Sequence, residues 1–403
     1  MTIALSSDAP TPPNFSARWT LHEVLLVSIG FGLIGVSYGL VRFAYGQFLP
    51  QMQADLGLSD SHAGLISSGV FFGSCLSLLA AAWFVRTVGA RAVAGTAGLL
   101  ASIGLLMVAF ATEPTVLSLG LLIAGMSTGL SMPPLVDAIY HGVGVARQNS
   151  AQAIVNSGSS GGLLISGPVA IWMTGAWQEA YVGFALIGAV LTVLVFMVVP
   201  KSRPTQRRVR HAITLTPALG RVLVAAFGLG ALSVAIWTFG GVVLGDTAGW
   251  SDRGLSIFWT LTGVSGLLGA GAGRLSRMHT PGAVYRSSLL ALAIAMALMF
   301  YAANDPVFAV LAAIVFGAAY VMATGVFVIE AVAAMPSAPA AGVAAAFFMI
   351  PAGQVAASPM LGWVLELYGA GTMLAVAIGI CVMCLPLLNA PRRNAGLGQV
   401  QSI

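Results

Sequence analysis

Arg42 is the residue with the clearest chemical potential in this chain, because it lies in the middle of a long apolar stretch. A charged side chain there costs about 2.5 to 3.5 kcal/mol on insertion scales and is a functional-site hypothesis by default. Tyr38 and Tyr45 stand four residues before it and three after it, which places all three on one helix face. We predict a substrate-binding stripe in which Arg42 anchors a carboxylate or phosphate group. The alternative is a structural arginine whose hydrogen bonds are satisfied by neighbouring helices.

Other side chains that could contact a solute lie in later apolar stretches. Gln152 and Asn156 are one helical turn apart, and such amides need hydrogen-bond partners in lipid. They either line a cavity or bond to an adjacent helix. For each aromatic residue the alternative is ordinary packing. The candidates for substrate binding beyond the first stretch are Gln152, Asn156, Trp237, Trp259, Tyr320 and Gln354.

The sequence offers no catalytic, metal or cofactor site. Its five histidines lie at the ends of apolar stretches or between them and form no ligand-spaced pair. A phosphate-binding Gly-Lys-Ser/Thr loop is also missing. We therefore predict that the protein is not an enzyme, that it needs no cofactor, and that its partner is a small-molecule substrate.

The elements that must position these residues are transmembrane helices. Of the 403 residues, 58% are hydrophobic and only 7% are charged, whereas soluble domains average about 25% charged residues. A helix needs about 20 apolar residues to cross the hydrocarbon core. The predicted fold class is an all-α membrane protein with twelve transmembrane helices, at residues 24–48, 63–85, 92–112, 115–137, 150–174, 181–200, 217–245, 254–273, 283–303, 306–329, 341–365 and 370–389.

The distribution of basic residues predicts the topology. With the N-terminus in the cytoplasm, every Lys and Arg except Arg42 and Arg253 falls inside the cell or at an inner helix end. This is the bias that orients membrane proteins. We predict a multi-pass protein of the cytoplasmic (inner) membrane with both termini inside. The net charge of +5 then reflects orientation in the lipid bilayer and does not indicate nucleic-acid binding.

Landmarks in the sequence recur at an offset of 191 to 193 residues. Asp137 matches Glu330, and the segment 168–172 matches 359–363 in beginning with Pro and ending with Trp. The repeat predicts two pseudo-symmetric six-helix bundles, with substrate bound near the midplane between them and alternating access by rocking. The predicted units are a polar cytoplasmic tail (1–20), the first bundle (21–200), a basic cytoplasmic linker (201–216), the second bundle (217–390) and a cytoplasmic tail (391–403).

Several segments resemble the major facilitator superfamily. Residues 81–91, Ala-Ala-Trp-Phe-Val-Arg-Thr-Val-Gly-Ala-Arg, are similar to that family's motif between helices 2 and 3, with Val85 in place of its Asp. Residues 162–168, Gly-Leu-Leu-Ile-Ser-Gly-Pro, are similar to a Gly-Pro motif of antiporters. Residues 39–45, Gly-Leu-Val-Arg-Phe-Ala-Tyr, resemble the YbfB/YjiJ-like branch of the superfamily. The resemblance implies the major facilitator fold, transport and a monomeric protein, and it does not supply a substrate.

The same resemblance implies gates. In the superfamily an acid at the inner end of helix 4 can pair with the basic loop motif when the transporter faces outward. Asp137 takes this position here, and Glu330 takes its counterpart in the second half. A competing role for both acids is to carry protons. The basic groups expected to form the latches are Arg86, Arg91, Arg274 and Arg277.

The predicted function is a secondary active or facilitative transporter that moves a small organic, anionic solute by alternating access. The positive charge of Arg42 favours an anion. The alternative is a broad-specificity drug or metabolite exporter that works as a proton antiporter, which the Gly-Pro segment and a large apolar lining favour. No Asp or Glu lies at the centre of a predicted span. Coupling therefore stays open between facilitated diffusion, exchange with a counter-anion, and a proton carried with the substrate or on a gate acid.

Overall fold

The computed structural model describes residues 19–172, 176–201 and 215–388. The described residues are mostly helical and contain no β-strand. The predicted tail 391–403, nearly all of the tail 1–20 and most of the linker 201–216 lie outside the described residues. The proposed boundaries of those units therefore remain predictions.

Twelve helices, α1 to α12, follow one another along the described residues. In the first half, α1 is Leu21–Leu56, α2 Asp60–Val88, α3 Ala90–Ala109, α4 Pro114–Gly142, α5 Gln148–Asn156 with Gly158–Trp172, and α6 Trp177–Val198. In the second half, α7 is Pro217–Gly245, α8 Asp252–Gly269 with Ala272–Met278, α9 Pro281–Tyr301, and α10 Pro306–Ala334. The continuous stretch Pro339–Cys384 holds α11 (339–368) and α12 (370–384), which meet at Gly369, where φ is 78°.

Most of these helices have the length and hydropathy that a membrane crossing requires. Nine continuous helices of the described residues pass that test, and α8, a pair of segments bent by 47°, makes ten. Gly369 divides one of the nine into two, and α5 is interrupted at Ser157. With the division at Gly369 and the interrupted α5, the described residues hold twelve helices, which agrees with the sequence prediction.

The start of α1 is tied to the loop between α4 and α5. Thr20 caps α1, and its backbone N–H donates to the Glu23 carboxylate at 2.9 Å, which is the capping-box arrangement. Glu23 also accepts from the Gly144 N–H at 2.9 Å and from the Arg147 guanidinium at 2.7 Å. Glu23 is buried, and these donors offset the cost of burying its charge. The hydrogen bonds of Glu23 also connect the start of α1 to the loop between α4 and α5.

The same packing pattern occurs in both halves. In the first, α3 packs on α4, α2 on α4, α3 on α6, and α1 on α5. The second repeats it, six helices later, with α9 on α10, α8 on α10, α9 on α12, and α7 on α11. Two bundles of equivalent design therefore face each other, as the repeated landmarks predict.

The halves meet along α1 with α7, α2 with α11, and α5 with α8. Glycines bring the backbones into contact there. A Cβ on Gly46 would lie 2.0 Å from the carbonyl oxygen of Trp237, and one on Gly64 would lie 2.3 Å from that of Ser358. Small residues at close helix crossings are typical of membrane proteins. These two contacts lie toward the side of the molecule where α1 ends and α2 begins, called here the α1–α2 end; the opposite side is the α2–α3 end.

Gly104 provides a test of packing within the first half. A Cβ there would lie 2.4 Å from the backbone nitrogen of Ala124 on α4. Overpacking of this kind costs about 1–3 kcal/mol, so Gly104→Ala should lower the midpoint of thermal unfolding in detergent. Gly183 on α6 is the matched control, because a Cβ added there would meet nothing within 4 Å. Gly183→Ala should be neutral or slightly stabilising, and equal melting of the two variants would contradict the packing.

Candidate functional site

Arg42 lies between the two halves. It belongs to a wide π-helical segment of α1, Gly35–Phe43, and only 7% of it is exposed. Its Nη2 donates a hydrogen bond to Oε1 of Gln354 on α11. On another side its Cζ lies 4.8 Å from the ring centroid of Phe71 on α2, within cation–π distance. The guanidinium thus contacts residues of both halves. This position is the one expected of a group that binds a solute between them.

The surroundings of Arg42 leave its charge uncompensated. No Asp or Glu in the part of the chain that the structure describes forms an ion pair with Arg42. Its Nε is buried without a hydrogen-bond partner. A buried charge is stable only when it is paired or well hydrogen-bonded. The arrangement therefore favours an anionic group next to the guanidinium.

Gln354 is held in place from the second half. It is fully buried, and its Nε2 donates to the hydroxyl of Ser233 on α7 at 3.3 Å. One end of the amide therefore accepts from Arg42 while the other end donates to α7. Because both ends are engaged, the carbonyl oxygen is directed toward the guanidinium. Ser233 was not among the predicted site residues, although it lies one turn before Trp237.

The π-helical segment separates the two predicted tyrosine partners of Arg42. Tyr38 is half-buried, and its ring centroid lies 6.0 Å from Cζ of Arg42. Tyr45 is 1% exposed and donates its hydroxyl to the carbonyl of Ala63 on α2 at 3.0 Å. The prediction of one common face assumed 3.6 residues per turn, and a π-helix has a wider turn. Tyr38 therefore joins the site, whereas Tyr45 packs within the first half.

Five aromatic rings form a cluster beside Arg42. Trp237 stacks on Phe43 of α1 with ring centroids 3.9 Å apart and on Trp259 of α8 at 5.8 Å. The rings of Phe316 and Tyr320 on α10 meet Trp237 edge-on at 5.0 and 5.4 Å. The structure thus brings together the three predicted aromatic residues, adds Phe43 and Phe316, and places the cluster across both halves.

The amides of α5 lie apart from this group. Gln152 is half-buried, and its Nε2 lies 3.5 Å from the sulfur of Met132 on α4. Asn156 is exposed at the end of the first segment of α5. Neither has a hydrogen bond to Arg42 or Gln354. The two alternatives for these amides were to line a cavity or to bond to an adjacent helix, and Gln152 adopts the second.

Polar contacts join the halves toward the α1–α2 end. The hydroxyls of Ser67 on α2 and Thr238 on α7 are 2.8 Å apart. The Glu366 carboxylate of α11 accepts the backbone N–H of Ser61 at 2.8 Å, in the first turn of α2. A carboxylate is stabilised at a helix N-terminus, where backbone N–H groups and the helix dipole favour negative charge. Glu366 was not a predicted site residue, because only the fold brings it to α2.

The predicted latch residues of the first half have other partners in this structure. Asp137 lies 3.5 Å from His141, four residues later on the same helix. Arg86 donates to a carbonyl of its own helix, and Arg91 donates to the carbonyl of Val199 at the end of α6. These contacts all stay within the first half. Asp137 therefore does not form an ion pair with either arginine here.

The second-half latch residues lie at the same end of the molecule. Arg274 and Arg277 are exposed on the last segment of α8. Glu330 is half-buried near the end of α10. Their placement at the α2–α3 end matches that of Asp137, Arg86 and Arg91, so the two-fold repeat extends to the charged ends of the helices.

Comparison with known families decides the classification. The model of the Major Facilitator Superfamily matches residues 31–350, well over half of the chain. The chain belongs to the Major Facilitator Superfamily. The protein is therefore a membrane transporter and not an enzyme, and the predicted all-α fold with two six-helix bundles is confirmed. A comparison with curated proteins found no match.

Solved transporters of the superfamily share the fold at low sequence identity. A crystal structure of a mutant of the nucleoside transporter NupG superposes with a TM-score of 0.77 at 16% identity, covering 91% of this chain and 98% of that chain. A bacterial homolog of the human lysosomal transporter Spinster, in an inward-facing and occupied conformation, gives 0.68 at 14% identity, with coverage of 91% and 95%. At such identities the likeness concerns the fold alone.

The contact of Gly64 with α11 gives a test of closure at the α1–α2 end. A protein with Ser67→Cys and Thr238→Cys, and with native Cys75, Cys381 and Cys384 replaced by Ala, reports closure by oxidant-induced cross-linking. Gly64→Ala places a methyl group against the Ser358 carbonyl, so the cross-link should form roughly fivefold more slowly, as expected for a shift of about 1 kcal/mol. Gly69→Ala on the same helix meets nothing within 4 Å and should leave the rate unchanged. Equal slowing in both variants would refute the assignment.

Proposed function

We propose that this transporter moves a small organic anion across the cytoplasmic membrane by alternating access, with Arg42 as the anchor for the anionic group. The observation that carries the proposal is a guanidinium buried between the halves without a carboxylate partner among the described residues. Arginine stays charged at all relevant pH values and presents a planar fork that suits carboxylate and phosphate groups. An anion bound there would satisfy Nε, which has no partner of its own.

The aromatic cluster supports the same role. Phe43 and Trp237 come from opposite halves, so their contact depends on how the halves are rocked. Apolar rings also exclude water from the guanidinium, which strengthens its attraction for an anion. Tyr38, Trp237, Trp259, Tyr320 and Gln354 are the proposed surroundings of the solute. Gln152, Asn156 and Tyr45 would have to approach it in another state of the cycle.

The distribution of basic residues assigns the sides in this proposal. With both termini inside the cell, the α1–α2 end faces outward and the α2–α3 end faces the cytoplasm. Contacts between the halves at the α1–α2 end then correspond to an outward-closed conformation. Latches from Asp137 to Arg86 or Arg91, and from Glu330 to Arg274 or Arg277, would form when the transporter faces outward. The partners of Asp137, Arg86 and Arg91 within the first half agree with open latches.

A broad-specificity drug or metabolite exporter, working as a proton antiporter, is the second candidate. It is favoured by Gly167 and Pro168 of α5, where a Cβ on the glycine would lie 1.9 Å from the Thr260 hydroxyl of α8. Such a contact makes α5 part of the moving interface. Coupling to a proton or to a counter-anion, monomeric function, and membership of the YbfB/YjiJ-like branch are further parts of the proposal that rest on the sequence.

Counterflow in proteoliposomes distinguishes the two candidates. For the anion carrier, Arg42→Ala should reduce exchange of organic anions more than tenfold, since removal of one partner of a buried charged contact costs about 2–5 kcal/mol. Arg42→Lys keeps the charge without the fork and should retain part of the rate. A panel of lipophilic cations serves as the comparison. Exchange of cations that is unaffected by Arg42→Ala would reject the anion carrier in favour of the exporter.

Asp137→Asn tests the proposed latch. If Asp137 pairs with Arg86 or Arg91 in the outward-facing state, the amide should favour the inward-facing state by up to about 1 kcal/mol, the range for a partly solvated pair. The Ser67→Cys/Thr238→Cys cross-link should then form faster, and cysteines facing the cytoplasm should become more accessible. Glu113→Gln, at the opposite end of α4 and exposed, is the control. Identical accessibility in wild type and Asp137→Asn would reject the latch.

A further inference from the structure

The charge of the site depends on the residue that faces Arg42. Gln354 accepts the hydrogen bond from Nη2 of Arg42, yet an amide contributes no charge. A carboxylate at the same place would form a neutral ion pair with the guanidinium. Because Gln354 is fully buried and engaged at both ends, the site keeps one uncompensated positive charge.

We infer that Gln354 sets the charge selectivity of this transporter, so that the site takes solutes with one negative charge in preference to neutral solutes and to dianions of the same skeleton. This inference rests on the proposed transport of organic anions. It adds a specificity-determining residue and a charge class to that function. Gln354 has this effect because it carries no charge: its side-chain oxygen orients the Arg42 guanidinium without neutralising it.

A single positive charge matches a single negative charge. Arg42 is the only basic residue in the middle of a predicted span. The other basic residues of the described part of the chain lie near helix ends or between helices, namely Arg86, Arg91, Arg147, Lys201, Arg221, Arg253, Arg274, Arg277 and Arg286. Around Arg42 the charged group meets uncharged side chains, namely Tyr38, Phe43, Phe71 and Gln354. A second negative charge on the solute would find no described cation beside the first, so its loss of hydration would go uncompensated.

A neutral solute fails for the opposite reason. It would leave the charge of the guanidinium uncompensated in surroundings from which the aromatic rings exclude water. A monoanion both supplies the missing acceptor for Nε and cancels the charge. The order of binding should therefore be monoanion first, with neutral and doubly charged analogues well behind.

The experiment uses four compounds with the same aromatic ring, which cover three charge states and two lengths. Binding of benzoate, benzamide, terephthalate and monomethyl terephthalate to the purified full-length protein is measured by titration calorimetry. Benzamide is the neutral counterpart of benzoate, and monomethyl terephthalate is a monoanion as long as the dianion. The set is repeated with hexanoate, hexanamide, adipate and monomethyl adipate. We expect each monoanion to bind at least tenfold more tightly than its neutral and dianionic analogues.

Two variants of nearly equal size isolate the charge at position 354. Gln354→Glu adds a negative charge and should reduce the affinity for benzoate or hexanoate at least tenfold without a matching loss for the amides. Gln354→Met has a similar volume and no charge, so it should keep the preference for monoanions even if affinity falls overall. A double variant, Arg42→Gln with Gln354→Arg, swaps the two residues and keeps a single positive charge in the site. It should also prefer the monoanion. Size-exclusion profiles establish that each variant is folded.

The outcomes separate this inference from the function on which it rests. If no monoanion of either skeleton binds to the wild-type protein, the proposed anion transport fails, and the inference fails with it. If monoanions bind but terephthalate binds as tightly as monomethyl terephthalate, anion transport stands and the charge class is wrong. If Gln354→Glu prefers benzoate over benzamide as strongly as Gln354→Met does, Gln354 does not set the selectivity. The wild-type comparison decides the charge class even if a variant does not fold.

Discussion

A guanidinium held between two bundles, with an amide and aromatic rings as its neighbours, is the constraint around which this transporter is organised. In a hydrocarbon environment an arginine is expensive unless something offsets its charge. Here Gln354 and Ser233 fix its direction, and Phe71 covers one side of it. None of them cancels the charge. In the proposed function, an anionic group that enters between the halves would offset this charge.

The two halves are tightly joined on the side of Arg42 that faces the α1–α2 end. Gly46 and Gly64 let α1 and α2 touch the backbones of the second half, and Phe43 stacks on Trp237 across the same boundary. Glu366 adds a carboxylate from α11 at the start of α2. Packed interfaces of this kind are bistable, because a small displacement loses many contacts together. Rocking of the halves would therefore expose or cover Arg42 in discrete steps.

Hydropathy and the repeat offset were sufficient to predict the fold. Helices satisfy the hydrogen bonds of their own backbone in lipid, so long apolar stretches predict transmembrane helices. The equivalent halves carry equivalent landmarks, so the repeat predicts two bundles. Arg42, Trp237, Tyr320 and Gln354 could be found as polar or aromatic residues within spans. Tyr45 could not be placed, since the π-helical segment Gly35–Phe43 changes which residues share a face. The roles of Ser233, Phe43 and Glu366 depend on contacts between helices far apart in sequence. Apart from the one-turn spacing of Ser233 and Trp237, those contacts leave no local signal in spacing or composition.

The most direct test is to locate a bound solute by anomalous scattering in crystals of the wild-type protein grown with 4-iodobenzoate. The account predicts an iodine peak between the halves, beside the rings of Tyr38, Trp237 and Tyr320, with the carboxylate within hydrogen-bond distance of the Arg42 guanidinium. An iodine peak on the lipid-facing surface or within one bundle, with Arg42 still bonded only to Gln354, would contradict it.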